Sequence, residues 1–161
     1  MPEQHVAKSP ADLPDRATLA EMSGLDYIRA IFEGQMAGAP IAELMNFHIH
    51  AVEKGKVTFR GAPGFQHFNP MGGVHGGWYG TILDSALGCA VATVLDKGSI
   101  YTTLEYKVNL TRAIPAGTLV DCTASVRHAG RSTAVAEAEI RGVDDGKLYA
   151  TGSTTCIVMR V

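Results

Sequence analysis

Residues 69–88 give the strongest indication of the fold, and they read Asn69-Pro70-Met71-Gly72-Gly73-Val74-His75-Gly76-Gly77-Trp78-Tyr79-Gly80-Thr81-Ile82-Leu83-Asp84-Ser85-Ala86-Leu87-Gly88. From His75 to Leu95 the side chains are small or apolar around almost the whole helical circumference. A helix that is apolar on nearly every face has to be wrapped by other structure. This stretch therefore predicts a long buried helix at the centre of the fold.

Strand patterns surround this helix in the chain. Alternation of apolar and polar residues predicts strands over residues 46–52, 56–60, 100–111, 118–127, 132–142 and 147–159. A run of strands after a single helix favours an antiparallel sheet curled around that helix, which is an α+β architecture.

The N-terminal part has a different character. Residues 1–15 contain three prolines and no apolar period, which predicts a mobile arm. Apolar residues then recur at helical spacing and predict an amphipathic helix from Leu19 to Glu33, with Thr18 and Glu21 as a capping box. Residues 34–40 are interpreted as a linker. The chain thus divides into an arm with a short helix, 1–39, and a main domain, 40–161.

Composition excludes several classes of function. The chain has 161 residues, a net charge of −2 and no basic run, which argues against nucleic-acid binding and a polybasic membrane anchor. It shows neither a signal-peptide pattern nor a transmembrane stretch. Its three cysteines are far apart in the sequence, which argues against a disulfide framework and against a structural zinc site. We expect a reduced, cytoplasmic protein.

Asp84 is conspicuous because of where it lies. Between Gly61 and Leu95 it is the only Asp, Glu, Lys or Arg, although 19% of the whole chain is charged. On a helix, Gly77, Gly80 and Gly88 share its stripe. Such glycines cost roughly 0.5–1 kcal/mol each relative to alanine. They indicate either close packing against a strand or a bare channel for a substrate, and a carboxylate in apolar surroundings is a potential base or nucleophile.

The start of the same helix offers complementary chemistry. Gly76 and Gly77 place bare backbone N–H groups at a helix N-terminus, where a carbonyl oxygen that becomes negative can be held. Eight residues separate Gly76 from Asp84, roughly 12 Å along a helix. One chain cannot easily bring both groups to one carbon atom. If both are catalytic, they come from two subunits.

These residues resemble the hotdog-fold acyl-CoA thioesterases, in particular the phenylacetate-pathway and thioesterase superfamily member 2 types. The resemblance rests on Asn69, on His75-Gly76-Gly77 and on Asp84 at the right spacing, and it extends over about residues 40–160. It implies an antiparallel sheet wrapped around a long central helix, a homodimer with a continuous sheet and often a homotetramer. It also implies hydrolysis of an acyl-CoA without a cofactor, because coenzyme A is part of the substrate.

The resemblance also implies roles for individual residues. Asp84 is the nucleophile or general base, the Gly76 N–H polarises the thioester carbonyl, and Asn69 and His75 lie beside the reacting group. Thr103 matches a position that assists the water, with Thr102 as the alternative. Strict strand alternation would, however, place Thr103 on the face opposite Leu104 and Tyr106.

Substrate contacts are expected at two further places. Gly130 and Arg131 resemble a loop that lies near the coenzyme A phosphates. Gly77 and Gly80 are expected to border the substrate channel. Four aromatic residues either line an acyl pocket, which would suit an aromatic or medium-chain acyl group, or belong to the core: Trp78, Tyr79, Phe65 and Phe68.

Two other functions compete with hydrolysis. A non-catalytic acyl-CoA-binding or sensor protein would use the same fold and channel. His48 and His50, two residues apart on one strand, also allow a metal-dependent cupin-like enzyme. Retention of Asp84 favours catalysis, and no metal ligand set is predicted.

Overall fold

In the computed structural model, residues 3–160 are described, and they form one six-stranded antiparallel sheet with a long helix on its inner side. The sheet order is β1-β2-β4-β5-β6-β3. The strands are β1 Phe47–Glu53, β2 Lys56–Gly61, β3 Ser99–Leu110, β4 Val120–Ala129, β5 Thr133–Gly142 and β6 Leu148–Arg160. The helices are α1 Arg16–Ala20, α2 Gly24–Phe32, α3 Pro40–Leu44 and α4 Gly76–Ala92. The predicted α+β architecture and all six predicted strands are confirmed.

Helix α4 is the centre of the core, as its apolar circumference predicts. Ile82, Leu83, Ala86 and Leu87 are wholly buried, and the helix packs mainly against strands β2 to β6. It begins at Gly76 with His75 as N-cap, whose Nδ1 accepts a hydrogen bond from the Gly77 N–H at 2.8 Å. It ends at Ala92, three residues before the predicted end at Leu95.

Strand β3 departs from regular alternation at one residue. Thr103 pairs with Cys156 and Glu105 pairs with Thr155, so Leu104 is a bulge without a partner on β6. A bulge changes which face the following side chains occupy. Tyr101 and Thr103 before it, and Tyr106 and Leu110 after it, consequently all reach α4. The expectation that Thr103 lies opposite Tyr106 is therefore wrong.

The single helix predicted from Leu19 to Glu33 is in fact two helices. Asp15, and not Thr18, caps α1 by accepting the Thr18 N–H at 2.8 Å. Ser23 then caps α2 by accepting the Asp26 N–H at 3.1 Å. The break at Ser23 brings Gly24 against the C-terminal end of α4, where its N–H donates to the Leu95 carbonyl at 3.0 Å.

Residues 4–7 are hydrogen-bonded to the domain, which corrects the prediction of a mobile arm for them, whereas residues 8–13 are exposed. Residues 1 and 2 lie outside the described part. The Gln4 side chain accepts from the Ile49 N–H at 3.2 Å and donates to the Ile49 carbonyl at 2.7 Å, on strand β1. Ala7 and Gly38 form a backbone hydrogen bond of 2.9 Å. The predicted linker thus takes part in packing and leads directly into α3, which the sequence pattern did not indicate.

None of the helices between residues 3 and 160 is long and apolar enough to span a membrane.

Candidate active site

Asp84 lies midway along α4 and is half-buried. Its Oδ1 accepts a hydrogen bond of 3.2 Å from the Thr103 hydroxyl. The ion pairs found within residues 3–160 do not include it. The carboxylate is therefore positioned by a neutral hydroxyl rather than neutralised by a cation, which leaves its second oxygen able to accept a proton.

Thr103 reaches Asp84 because of the bulge at Leu104. Thr102, the alternative that spacing left open, is exposed on the other face of β3. Leu104 itself is 59% exposed. Of the two threonines, Thr103 is therefore the one that contacts Asp84 within this chain.

The N-terminal end of α4 is open to solvent. His75, Gly76 and Gly77 are all exposed. The Gly77 N–H is taken up by the His75 ring, whereas the Gly76 N–H has no acceptor among residues 3–160. A free N–H at the first position of a 17-residue helix also lies at the positive end of the helix dipole. Gly76 can thus donate to an oxygen that gains negative charge.

Asn69 shapes the loop that leads to this end. Its Oδ1 accepts from the N–H groups of Met71 at 2.9 Å and Gly73 at 3.2 Å, which ties the loop into a turn. Its side-chain NH₂ has no partner within the described residues and remains available as a donor. The same loop brings the backbones of Asn69 and His75 close together, because their preceding residues, Phe68 and Val74, form an antiparallel β-bridge with each other.

Gly76 and Asp84 do not meet in one chain. They lie on the same straight helix, eight residues and about 12 Å apart. A base or nucleophile and an oxyanion donor must both reach one carbonyl group. One copy of α4 therefore cannot bring both groups to the same carbonyl carbon.

The glycine stripe packs against side chains of β3. A Cβ on Gly88 would lie 2.6 Å from the Tyr101 hydroxyl, and one on Gly80 would lie 3.2 Å from the Tyr106 hydroxyl. Close helix-to-strand packing therefore accounts for these two glycines. Gly80, predicted to contact substrate, faces Tyr106 in this chain.

A cavity of about 680 Å³ opens beside Asp84 and is called the Asp84 cavity below. Asp84, Ser85 and Cys89 of α4 line it together with Tyr101 and Thr103 of β3. Burial, with the negative charge of Asp84, raises the pKa of the Cys89 thiol to about 12, so this thiol stays protonated. Burial also raises the pKa of Tyr101. Sequence reasoning missed Cys89 and Tyr101, although Cys89 follows Asp84 by little more than one helical turn.

The four aromatic residues predicted near the acyl group do not line this cavity. Trp78 is 2% exposed and its indole N–H donates to the Met45 carbonyl at 2.8 Å, so it is a core residue. The Tyr79 hydroxyl accepts from the Ile114 N–H in the core. Phe65 is 84% exposed on the loop before α4, against Phe68.

Gly130 and Arg131 form the turn between β4 and β5 and are exposed. The Gly130 N–H donates to the Thr133 carbonyl at 2.8 Å. The Arg131 guanidinium makes no ion pair with any described residue. Contact of this turn with coenzyme A stays a prediction.

His48 and His50 lie on β1, with a bulge after Ile49. One ring nitrogen of each, His48 Nε2 and His50 Nδ1, is buried without a hydrogen-bond partner in the described part. Burial lowers the pKa of His48, and neighbouring His50 and Arg60 lower it further. Across residues 3–160, no three or more His, Cys, Asp or Glu side chains come together in a way that would hold a metal ion.

Comparison with known proteins finds the same architecture. The Thioesterase superfamily model matches residues 71–149. A Caenorhabditis elegans protein named as a candidate esterase, F42H10.6, is 34% identical over 105 residues, which span 65% of this chain and 61% of that protein. The conserved protein PA5202 of Pseudomonas aeruginosa is 32% identical, with a TM-score of 0.70 over 76% of this chain and 95% of its own. A phenylacetic acid degradation-related protein of Ralstonia eutropha, described as a candidate thioesterase, is 28% identical, with a TM-score of 0.74 over 81% of this chain and 98% of its own.

Proposed function

Because this chain belongs to the thioesterase superfamily, we propose that it hydrolyses acyl-CoA thioesters, with Asp84 as the reacting carboxylate. The observation that carries the proposal is the pair formed by Asp84 and Thr103 at the rim of the Asp84 cavity. The hydroxyl holds one carboxylate oxygen in place, and the other can act on water or on the thioester. The cavity beside the pair has room for an acyl group.

In the general-base form of the reaction, Asp84 takes a proton from a water molecule whose oxygen attacks the thioester carbonyl carbon. The carbonyl oxygen becomes negative and accepts a hydrogen bond from the Gly76 N–H of the partner subunit. The C–S bond then breaks, the coenzyme A sulfur leaves as a thiolate and takes up the proton, and the free acid remains. In the nucleophile form, Asp84 attacks the same carbon, the C–S bond breaks and the coenzyme A thiolate leaves, and water then hydrolyses the resulting anhydride to the free acid and the Asp84 carboxylate.

The proposal includes a dimer, since Gly76 and Asp84 have to come from different subunits. Strand β3 is an edge strand of twelve residues, and Leu104, Tyr106 and Leu110 along it are exposed. A long edge with apolar side chains is suited to pairing with another strand. The opposite edge, β1, is instead partly capped by the Gln4 side chain. A homodimer joined through β3, or a tetramer of two such pairs, would complete the site.

The test is release of free thiol from a panel of short-, medium- and long-chain and aromatic acyl-CoAs, with purified protein and a metal chelator present. We expect turnover of at least one class with the chelator present. Sedimentation at the assay concentration should show a dimer or larger species. Tight acyl-CoA binding without thiol release would instead favour the sensor function, and a fully active monomer would contradict the composite site.

A further inference from the structure

The Asp84 cavity has two walls of different origin, and residues of α3, β1 and β2 complete its lining. The first wall carries the reacting groups and comes from α4 and β3. The second comes from the N-terminal wall, defined here as residues 4–31, which contributes mainly Leu19, Met22, Tyr27, Ile28 and Ile31. The superfamily match spans residues 71–149 and so does not include this second wall.

The N-terminal wall is fixed to the domain at several points. Gln4 is bonded to both backbone groups of Ile49. At the other end, the Gly24 N–H donates to the Leu95 carbonyl, and the backbone of α2 passes so close to Ala92 that Gly24 has no room for a Cβ. Ile28 and Ile31 are buried in the same core as α4. A wall held in this way presents a constant shape to whatever occupies the cavity.

The part of this wall between residues 19 and 31 is mostly apolar, with the Tyr27 phenol and Ser23 as its polar side chains, whereas Gln4, His5 and Lys8 add polar lining nearer the N-terminus. Tyr27 is half-buried, and its hydroxyl makes no hydrogen bond with any residue between 3 and 160. Tyr27 lines the cavity together with Asp84 and Cys89, and desolvation with the nearby Cys89 thiol raises the pKa of Tyr27. A hydrocarbon acyl group that extends from Asp84 into the cavity would be bordered by Tyr27, Met22 and the aliphatic residues of the N-terminal wall.

We propose that the N-terminal wall is the acyl-selectivity element of this enzyme, with Tyr27 and Met22 limiting the size of acyl group that fits beside Asp84. This inference rests on the proposed function. The reacting groups Asp84 and Thr103 then come from the superfamily region, residues 71–149, whereas the size of the acyl group is limited by residues 4–31, outside that region. In an apolar pocket, gain or loss of about one methylene of space changes relative turnover roughly tenfold.

The experiment compares kcat/KM across linear acyl-CoAs from butanoyl to dodecanoyl, with phenylacetyl-CoA added. Tyr27→Ala enlarges the cavity, and Met22→Phe narrows it at a half-buried position. Arg29→Ala is the matched control, because Arg29 is on the same helix but exposed and outside the cavity. We expect Tyr27→Ala to shift the preference toward longer chains by about tenfold, Met22→Phe to shift it toward shorter chains, and Arg29→Ala to leave the profile unchanged.

A uniform change over all acyl-CoAs, or no change, in both cavity variants would overturn the proposal. Binding of the same acyl-CoAs to Asp84→Asn protein, measured by calorimetry, separates this failure from failure of the proposed function. If wild-type protein releases no thiol, hydrolysis fails, yet a chain-length shift in binding caused by Tyr27→Ala would still support the wall. If binding affinity does not depend on Tyr27 or Met22, the wall proposal is wrong whatever the turnover.

Discussion

The two ends of the site on α4 differ in how much one chain completes them. Around Asp84, the chain supplies the hydroxyl of Thr103, the desolvated thiol of Cys89 and a second wall of the cavity. At the N-terminal end, Gly76 and its neighbours are exposed and the Gly76 N–H has no acceptor in the described structure. In the proposed composite site, one copy would thus complete the surroundings of Asp84 by itself, whereas the Gly76 end would depend on a substrate and a second copy.

The largest effect is expected at the enclosed end. Asp84→Ala should reduce kcat/KM by about 10²–10⁴-fold, because positioned proton transfer contributes about that much. Asp84→Asn keeps the shape and the contact with Thr103, and it should lose nearly as much activity. Urea unfolding of both variants serves as the control for the fold. An Asp84→Asn protein with wild-type turnover would contradict the role of the carboxylate.

At the exposed N-terminal end of α4, the informative variant is one that removes only the Gly76 N–H. Proline is well tolerated at the first helical position, and His75, at φ −63° and ψ 137°, already has a conformation that can precede proline. Gly76→Pro should therefore keep α4 while lowering kcat by about 10²–10³-fold, as loss of an oxyanion donor does.

The matched control for that variant is Gly76→Ala, which adds a Cβ but keeps the N–H. This Cβ would lie 3.4 Å from Leu110 Cδ1, an ordinary contact. Gly76→Ala should retain most of the activity. Equal losses in the two variants would show that the added carbon, and not the missing donor, is responsible.

A smaller effect is expected from the hydroxyl that holds Asp84. Thr103→Val keeps the shape of the side chain and removes the donor, so kcat should fall about tenfold, as expected when a hydrogen bond to a charged group is lost. Thr102→Val on the exposed face is the control and should change little. A larger loss in Thr102→Val than in Thr103→Val would reverse the assignment.

The smallest effect is expected on stability, where the N-terminal wall packs against the C-terminal end of α4 at Gly24. A Cβ on Gly24 would lie only 1.9 Å from the Ala92 carbonyl oxygen, so α2 would have to move away. Gly24→Ala should lower the free energy of unfolding by about 1–3 kcal/mol, the usual cost of overpacking. Gly73→Ala, whose Cβ would find nothing closer than 3.9 Å, is the control in the same denaturation measurement. Equal stability of both variants would contradict the close crossing.

Much of the site could be recognised in the sequence because its signals are local. A carboxylate that is alone in a 35-residue stretch, and glycines at a helix start, are visible without any knowledge of packing. Thr103 could not be placed in this way, since its orientation depends on the bulge at Leu104. That bulge arises from pairing with Cys156 and Thr155, some fifty residues further along the chain.

The N-terminal part shows the same limit. Helical spacing correctly indicated apolar faces at residues 19–32, yet it could not reveal the break at Ser23. At the break, Ser23 caps α2 and Gly24 meets the end of α4, and the latter is a contact between segments about 70 residues apart. The prediction of a mobile arm failed for a related reason, since the partners of Gln4 and Ala7 lie on β1 and beside α3.

The sequence by itself determined the central helix, the six strands around it and the singular position of Asp84, because burial pattern and charge are carried by neighbouring residues. Only the tertiary structure decided that Thr103 contacts Asp84, that the glycine stripe packs on Tyr101 and Tyr106, and that residues 4–31 line the Asp84 cavity. Each of these depends on the free energy of contacts between distant segments, which no local period encodes.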